Sequence, residues 1–256
     1  MIRSSPIGRL PTPPRKMSAM KRRSRNLASE NHRASSSTAV LVSGGLDSAI
    51  LLGETLRKRA AVHPLYVRSG LYWEPAELRH LRRFLRALRD PALQPLRILE
   101  VPVTDLYGKH WSITGEHVPD AATPDEAVFL PGRNVLLLAK GMLWCHLHGV
   151  AELALGLLGS NPFADATPRF IAGYQKMINR AIGGRVRVRR PYAGLTKTDV
   201  MRRGRDLPLE LTFSCIRPIS GKHCGCCNKC AERQRAFADA GMPDLTDYHE
   251  APICTV

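Results

Sequence analysis

Apolar and polar positions fall into short blocks along the chain. Ala39–Val42 is an apolar run that ends in Ser43-Gly44-Gly45, and Ala49–Leu56 then carries helical periodicity. Strand, glycine turn and helix therefore follow one another directly. Ala61–Val67 reads as a second strand. Pro75–Arg89 is amphipathic, with Leu78, Leu81, Leu85 and Leu88 at helical spacing and arginines on the other face. Leu96–Val101 is a third strand candidate, Asn134–His148 a mostly apolar helix and Leu153–Leu157 a fourth strand. Pro168–Ile182 predicts a helix, Arg185–Arg189 a short strand, and Thr196–Arg203 and Cys230–Ala240 the last two helices. No internal repeat is visible. Strands alternating with helices predict a parallel sheet with crossover helices, and ligands in such sheets sit at the carboxyl ends of the strands near the switch point. No run of about 18 apolar residues exists, so no membrane span is expected.

Residues 1–37 break the pattern. They are rich in Ser, Pro and Arg, lack periodicity and read as a disordered tail. The chain of 256 residues carries 38 Lys plus Arg against 22 Asp plus Glu, a formal charge of +16. Half of it lies in residues 1–33, where nine basic residues face the single acid Glu30. One reading is an overextended N-terminus, with Met17 or Met20 as candidate starts. The other is a nucleic-acid-binding arm. The absence of aromatic residues for base stacking favours the first. The excess on the rest of the chain suits a protein that handles anionic nucleotides.

Seven cysteines add the first chemistry: Cys145, Cys215, Cys224, Cys226, Cys227, Cys230 and Cys254. No apolar segment with a cleavage site marks the N-terminus as a secretory signal, so a cytoplasmic setting is expected. There, clustered cysteines read as metal ligands or catalysts rather than disulfides. Cys215-x8-Cys224-x2-Cys227-x2-Cys230 offers four thiolates that can close a tetrahedral, structural Zn²⁺ site. Cys226 is a fifth thiol, but using it in place of Cys227 would shrink the knuckle to one intervening residue. An iron–sulfur cluster is the rival, and the spacing favours zinc. Cys145 reads as core and Cys254 as a tail thiol.

The second chemistry is the string Ser43-Gly44-Gly45-Leu46-Asp47-Ser48 after the first strand. Two glycines allow positive φ and close backbone approach to an anion. The following helix points its N–H groups and the positive end of its dipole at the same spot. Ser43 and Ser48 add hydroxyl donors. Asp47 would repel phosphate unless it binds Mg²⁺ or positions the helix. The string lacks the Gly-Lys-Ser/Thr ending of a Walker loop, which excludes a kinase or GTPase reading.

Ser-Gly-Gly-Leu-Asp-Ser resembles the PP-loop of the ATP pyrophosphatase superfamily, whose members adenylate an oxygen, release pyrophosphate and let a nucleophile displace AMP. The PP-loop with this cysteine order resembles the 7-cyano-7-deazaguanine synthase (QueC/ExsB) family, of which the chain reads as a diverged member. The resemblance runs from Ala39 to about Tyr248. Further stretches carry it: Leu130-Pro131-Gly132-Arg133-Asn134, Leu195-Thr196-Lys197-Thr198-Asp199, and Ser214-Cys215 through Cys230 with Gly241-Met242-Pro243-Asp244 behind. Two stretches depart from the family. Its Asp-Tyr-Gly-Gln-Arg-His-like string is replaced by Tyr66-Val67-Arg68-Ser69-Gly70-Leu71-Tyr72-Trp73-Glu74. In its Tyr-Pro-Asp-Cys-Arg-Pro-x-Phe stretch, Asp165, Pro168 and Phe170 remain, while Ala166 and Thr167 replace Cys and Arg.

The resemblance implies an α/β, parallel-sheet Rossmann-like domain of the adenine nucleotide alpha hydrolase (HUP) type over residues 38–210. A C-terminal zinc-binding segment with four cysteine ligands follows it over 211–256. It also implies an ATP-dependent C–N ligase of queuosine and deazapurine biosynthesis. In the family reaction 7-carboxy-7-deazaguanine, ammonia and ATP give the nitrile through an acyl adenylate and an amide. Implied cofactors are ATP, Mg²⁺ and Zn²⁺, and a homodimer is implied. Ser43, Gly44, Gly45, Leu46, Asp47 and Ser48 would bind ATP. Ser43, Asp47, Ser48, Arg133 and Lys197 would serve catalysis. Asp165 would accept hydrogen bonds from the guanine-like face, or else cap the helix beginning at Pro168. Cys215, Cys224, Cys227 and Cys230 would hold zinc. Three enzyme alternatives stand beside this: a PP-loop ligase for another carboxylate, one that joins a deazaguanine to a protein, and a tRNA-modifying sulfurtransferase. Direct tRNA binding is not favoured. A zinc-ribbon nucleic-acid-binding protein is the non-enzyme alternative.

Overall fold

The computed structural model describes residues 37–250, and the basic tail and Cys254 lie outside them. Five strands form one parallel sheet in the order β3-β2-β1-β4-β5: β1 (Ser37–Leu41), β2 (Ala61–Arg68), β3 (Arg97–Glu100), β4 (Glu152–Ala154) and β5 (Arg187–Arg189). β1 is central and buried from Thr38 onward, as the continuous apolar run requires. Pro64 lacks an N–H yet sits within β2. It falls one residue before the Leu65–Arg97 register with β3 begins, so β3's ladder loses nothing.

The helices are α1 (Leu46–Leu56), α2 (Glu74–Leu88), α3 (Thr104–Tyr107), α4 (Trp111–Thr114), α5 (Arg133–Leu147), α6 (Pro168–Ile182), α7 (Lys197–Arg203) and α8 (Asn228–Asp239). One apolar cluster joins α1, α2, α7 and α8 to one face of the sheet, and a second joins α5 and α6 to the other. A third cluster lies around the cysteines and includes Leu71, Trp73, Val103, Leu130 and Phe213.

Three differences from the sequence reading matter for function. α1 begins at Leu46 rather than Ala49, because Gly44 (φ +77°) and extended Gly45 turn the chain from loop into helix without a linker. β4 ends at Ala154 rather than Leu157, so Leu155, Gly156 and Leu157 leave the sheet and line a cavity. Gly156 also lets backbone meet backbone: a Cβ there would lie 3.0 Å from the Asp47 carbonyl carbon. The short helices α3 and α4 have no counterpart in the sequence pattern. The cysteine segment packs within the same compact unit as the sheet.

Candidate nucleotide site and metal centre

The sheet order reverses between β1, which leads outward to β2 and β3, and β4, which leads to β5. A cavity of about 380 Å³ opens there, at the carboxyl ends of β1, β2 and β4. That is where doubly wound sheets hold their ligands. Ser43, Gly45, Leu46, Asp47 and Ser48 form part of its wall.

The loop is organised from within. The Ser43 N–H donates to Ser48 Oγ (3.1 Å), and Ser48 Oγ donates to the Gly45 carbonyl (3.1 Å). The Gly44 carbonyl accepts from the Phe213 N–H at 2.7 Å, which ties the loop to the chain entering the cysteine segment. No side chain caps the N-terminus of α1. Its first-turn N–H groups therefore face the cavity with the helix dipole behind them, the arrangement that binds phosphate.

Lys197 opens α7 after Thr196, whose side chain forms a reciprocal capping box with Asp199. Lys197 Nζ donates to both oxygens of Asp47 (2.8 Å each) and lies 3.3 Å from Glu232, which also pairs with Lys229 at 2.7 Å. This chain of two cations and two anions stands beside the phosphate loop. Burial disfavours the charge on Lys197, but Asp47 and Glu232 outweigh it and hold its pKa above the ordinary lysine value. Burial opposes ionisation of Glu232 too, yet Lys197 and Lys229 bring it down to about 2. Asp47 thus accepts from Lys197 on both of its oxygens. It anchors Lys197 at the first turn of α1.

Arg133 is the first residue of α5 and lines the cavity, and its Nε is buried with no hydrogen-bond partner. Asp165 is placed at the start of α5. Its carboxylate accepts from the Asn134 N–H (3.0 Å) and Asn134 Nδ2 (2.9 Å), and it is not part of the cavity wall. It satisfies the start of α5 from a distance in sequence and so fixes the turn that carries Arg133. The alternative expectation, a cap for α6, is met instead by Thr167, whose hydroxyl accepts from the Phe170 N–H.

Several wall residues escaped the sequence reading. Trp73 and Trp111 stack with ring centroids 5.8 Å apart, and both line the cavity, as does Phe163. Trp111 sits on α4, a four-residue helix without a readable period. Glu77 is also in the wall, and its signal was legible: Glu74 and Glu77 fall on the same stripe of α2 as Leu78 and Leu81. Glu74 is committed to the turn before α2, accepting from the Ser69 (2.7 Å) and Gly70 (2.8 Å) N–H groups. Arg233, 1% exposed, lines the cavity floor and donates to Thr246, Thr212, Ser214 and the Leu209 carbonyl.

Behind this floor, the sulfurs of Cys215, Cys224, Cys227 and Cys230 all lie within 4.8 Å of one another. Cys224–Cys230 are 3.8 Å apart and Cys215–Cys227 3.9 Å. A tetrahedron with Zn–S bonds of about 2.3 Å has edges of about 3.8 Å, so the cluster fits that ion. Backbone N–H groups of Arg217 and Cys224 point at Cys215 Sγ, and that of Cys227 at Cys224 Sγ, each at 3.3 Å. All four cysteines are buried. The segment also holds the far wall: the Asn228 N–H donates to the Pro119 carbonyl and its Nδ2 to that of Thr123.

A parallel sheet with a Ser-Gly-Gly-Leu-Asp-Ser loop at its switch point and a four-cysteine segment defines a PP-loop-type α/β protein with a candidate metal centre. Residues 37–241 match the family model described as queuosine biosynthesis protein QueC. A 7-cyano-7-deazaguanine synthase of Xanthomonas oryzae pv. oryzae (strain PXO99A) is 32% identical over 224 residues, 82% of this chain and 96% of that protein. One of Syntrophobacter fumaroxidans is 31% identical over 229 residues, 82% of this chain and 94% of that protein. A solved 4-thiouridine synthetase–RNA complex with bound ATP is 18% identical, with TM-score 0.43 over 80% of this chain and 51% of that one. The chain belongs to the QueC family.

Proposed function

We propose that this chain converts 7-carboxy-7-deazaguanine and ammonia to 7-cyano-7-deazaguanine at the expense of ATP. The observation that carries the reading is the uncapped α1 N-terminus facing the switch-point cavity, with Ser43, Ser48 and Lys197 around it and, in the same wall, Arg133, whose buried Nε has no hydrogen-bond partner. The identity to named synthases over most of both chains supports the choice of reaction.

In this reading the loop N–H groups, Ser43 and Ser48 hold the phosphates of ATP, which enters as its magnesium complex. Lys197 is oriented by Asp47 and Glu232 to meet the charge that develops as pyrophosphate leaves. Arg133 docks the substrate carboxylate or the α-phosphate with its planar fork. The stacked Trp73–Trp111 pair and Phe163 offer flat apolar surfaces to a heteroaromatic base. Asp165 is a positioning residue, holding Asn134 and thereby Arg133. Cys215, Cys224, Cys227 and Cys230 hold zinc, which when bound supplies a rigid crosslink and no chemistry.

The test is mass spectrometry of purified protein with 7-carboxy-7-deazaguanine, ATP, magnesium and ammonium. Nitrile with AMP is the expected outcome. AMP release with no nitrile or amide overturns the assignment of the carboxylate and directs attention to another acceptor.

A further inference from the structure

Of the carboxylates around the cavity among the described residues, Glu77 alone is both buried and half-used. Its side chain lines the wall and the residue is 6% exposed. The Tyr66 hydroxyl donates to its Oε2 at 2.7 Å, while Oε1 has no hydrogen-bond partner among the described residues. The other acids are accounted for. Asp47 and Glu232 are paired with lysines, Glu74 with backbone N–H groups and Asp165 with Asn134. Asp125 is exposed at the rim. Glu77 also abuts the phosphate loop: a Cβ on Gly44 would lie 3.1 Å from Glu77 Cγ.

We infer that Glu77 is the proton acceptor for the nitrogen nucleophile, taking on Oε1 the proton that ammonia gives up as it attacks the acyl adenylate. This rests on the ATP-dependent reading above and extends it to a residue. The nitrogen lone pair forms the C–N bond while the carbonyl π pair moves to oxygen. One N–H proton passes to Glu77 Oε1. The carbonyl re-forms, and the C–O bond to AMP breaks with its electron pair on AMP. Amide, AMP and one proton result, and Glu77 returns that proton to solvent through the cavity.

The surroundings suit the task. Burial pushes Glu77 up to about 8, against the pull of Arg133 and the Tyr66 hydroxyl, and Glu74 on the preceding turn adds to the rise. Those three are the charged or titratable groups that act on it: Tyr66 from β2, Arg133 from α5 and Glu74 from its own helix. His80, one turn on, directs its Nε2 to the Gly221 carbonyl. A carboxyl that is neutral while triphosphate binds does not repel it. One that ionises close to working pH is an effective base.

The test separates the two chemical steps. Substrate-dependent exchange of pyrophosphate into ATP, without ammonia, reads adenylate formation. Amide plus nitrile, with ammonium, reads C–N bond formation. Glu77→Gln is expected to keep exchange within about 3-fold and to lose C–N formation by about 100-fold or more. Tyr66→Phe is expected to move the pH profile of C–N formation to higher pH, since it removes a donor that stabilises the carboxylate. A merely structural role would not move that profile. Unchanged product formation in Glu77→Gln, a parallel fall of both steps, or an unmoved profile in Tyr66→Phe overturns the inference. Wild-type protein that shows no exchange overturns the adenylation reading itself, and the inference with it.

Discussion

In the Ser43–Ser48 loop, a glycine at φ +77° turns backbone N–H groups toward an open cavity. In the Cys224–Cys227 knuckle, a glycine at φ +82° turns them onto buried sulfur. Both are short contiguous motifs that gather N–H dipoles around negative charge. They differ in access. Ser43 is exposed, whereas Cys215, Cys224 and Cys230 are completely buried. The same backbone device thus fronts an open cavity where the sheet parts, and a closed cluster able to hold a metal where apolar side chains cover it. The two are coupled, because the Phe213 N–H, two residues before Cys215, holds the Gly44 carbonyl.

The harshest test of that contrast is Cys224→Ser. Removing one of four buried ligands should abolish metal binding and with it the folding of the segment, read as zinc per chain and as loss of the thermal transition. A folded variant without metal would refute the crosslink role. Lys197→Ala strikes the open site instead. It should cut ATP-dependent exchange by about 10- to 100-fold, the worth of a charged hydrogen bond. Its stability cost should be only about 1–3 kcal/mol, since Lys197 and Asp47 are 24% and 26% exposed. Metal content should stay at wild-type level.

The paired glycine variants sharpen the comparison. Gly44→Ala and Gly225→Ala each place a side chain at positive φ and should cost about 1–2 kcal/mol in denaturant unfolding. Only Gly44→Ala, whose Cβ crowds Glu77 at the cavity, should also lose ATP affinity in calorimetry. Equal losses in both would mean that the knuckle shapes the loop directly.

The smallest effect concerns pH. The fold raises Glu77 from about 4.5 to about 8, so it favours the protonated form. The stability this group contributes is full below about 4.5 and is lost as pH rises to about 8. Glu77→Gln mimics the protonated state. Its melting temperature should therefore rise relative to wild type between about pH 5 and about pH 8. A gap that stays constant contradicts the shift.

Contiguity separates what was legible from what was not. The PP-loop and the cysteine spacing were readable because each is a short contiguous stretch. The parallel α/β class followed from periodicity. The partners of Asp165 and Asp47 were not readable: one carboxylate accepts from Asn134, 31 residues away, and the other from Lys197, 150 residues away. Glu77 left a trace as a carboxylate on the apolar stripe of α2. Trp111 left none, since four residues of helix carry no period.

The chain by itself therefore determined the glycine loop, the cluster of four cysteines and the alternation of strand and helix. Local backbone geometry and side-chain period act over a few residues, and they are written in order. Tertiary structure alone decided which charges neutralise one another, which arginine keeps a buried Nε without a partner and which carboxylate keeps a free oxygen at the cavity wall. Those outcomes depend on burial and on partners brought together from distant segments, and no local pattern specifies either.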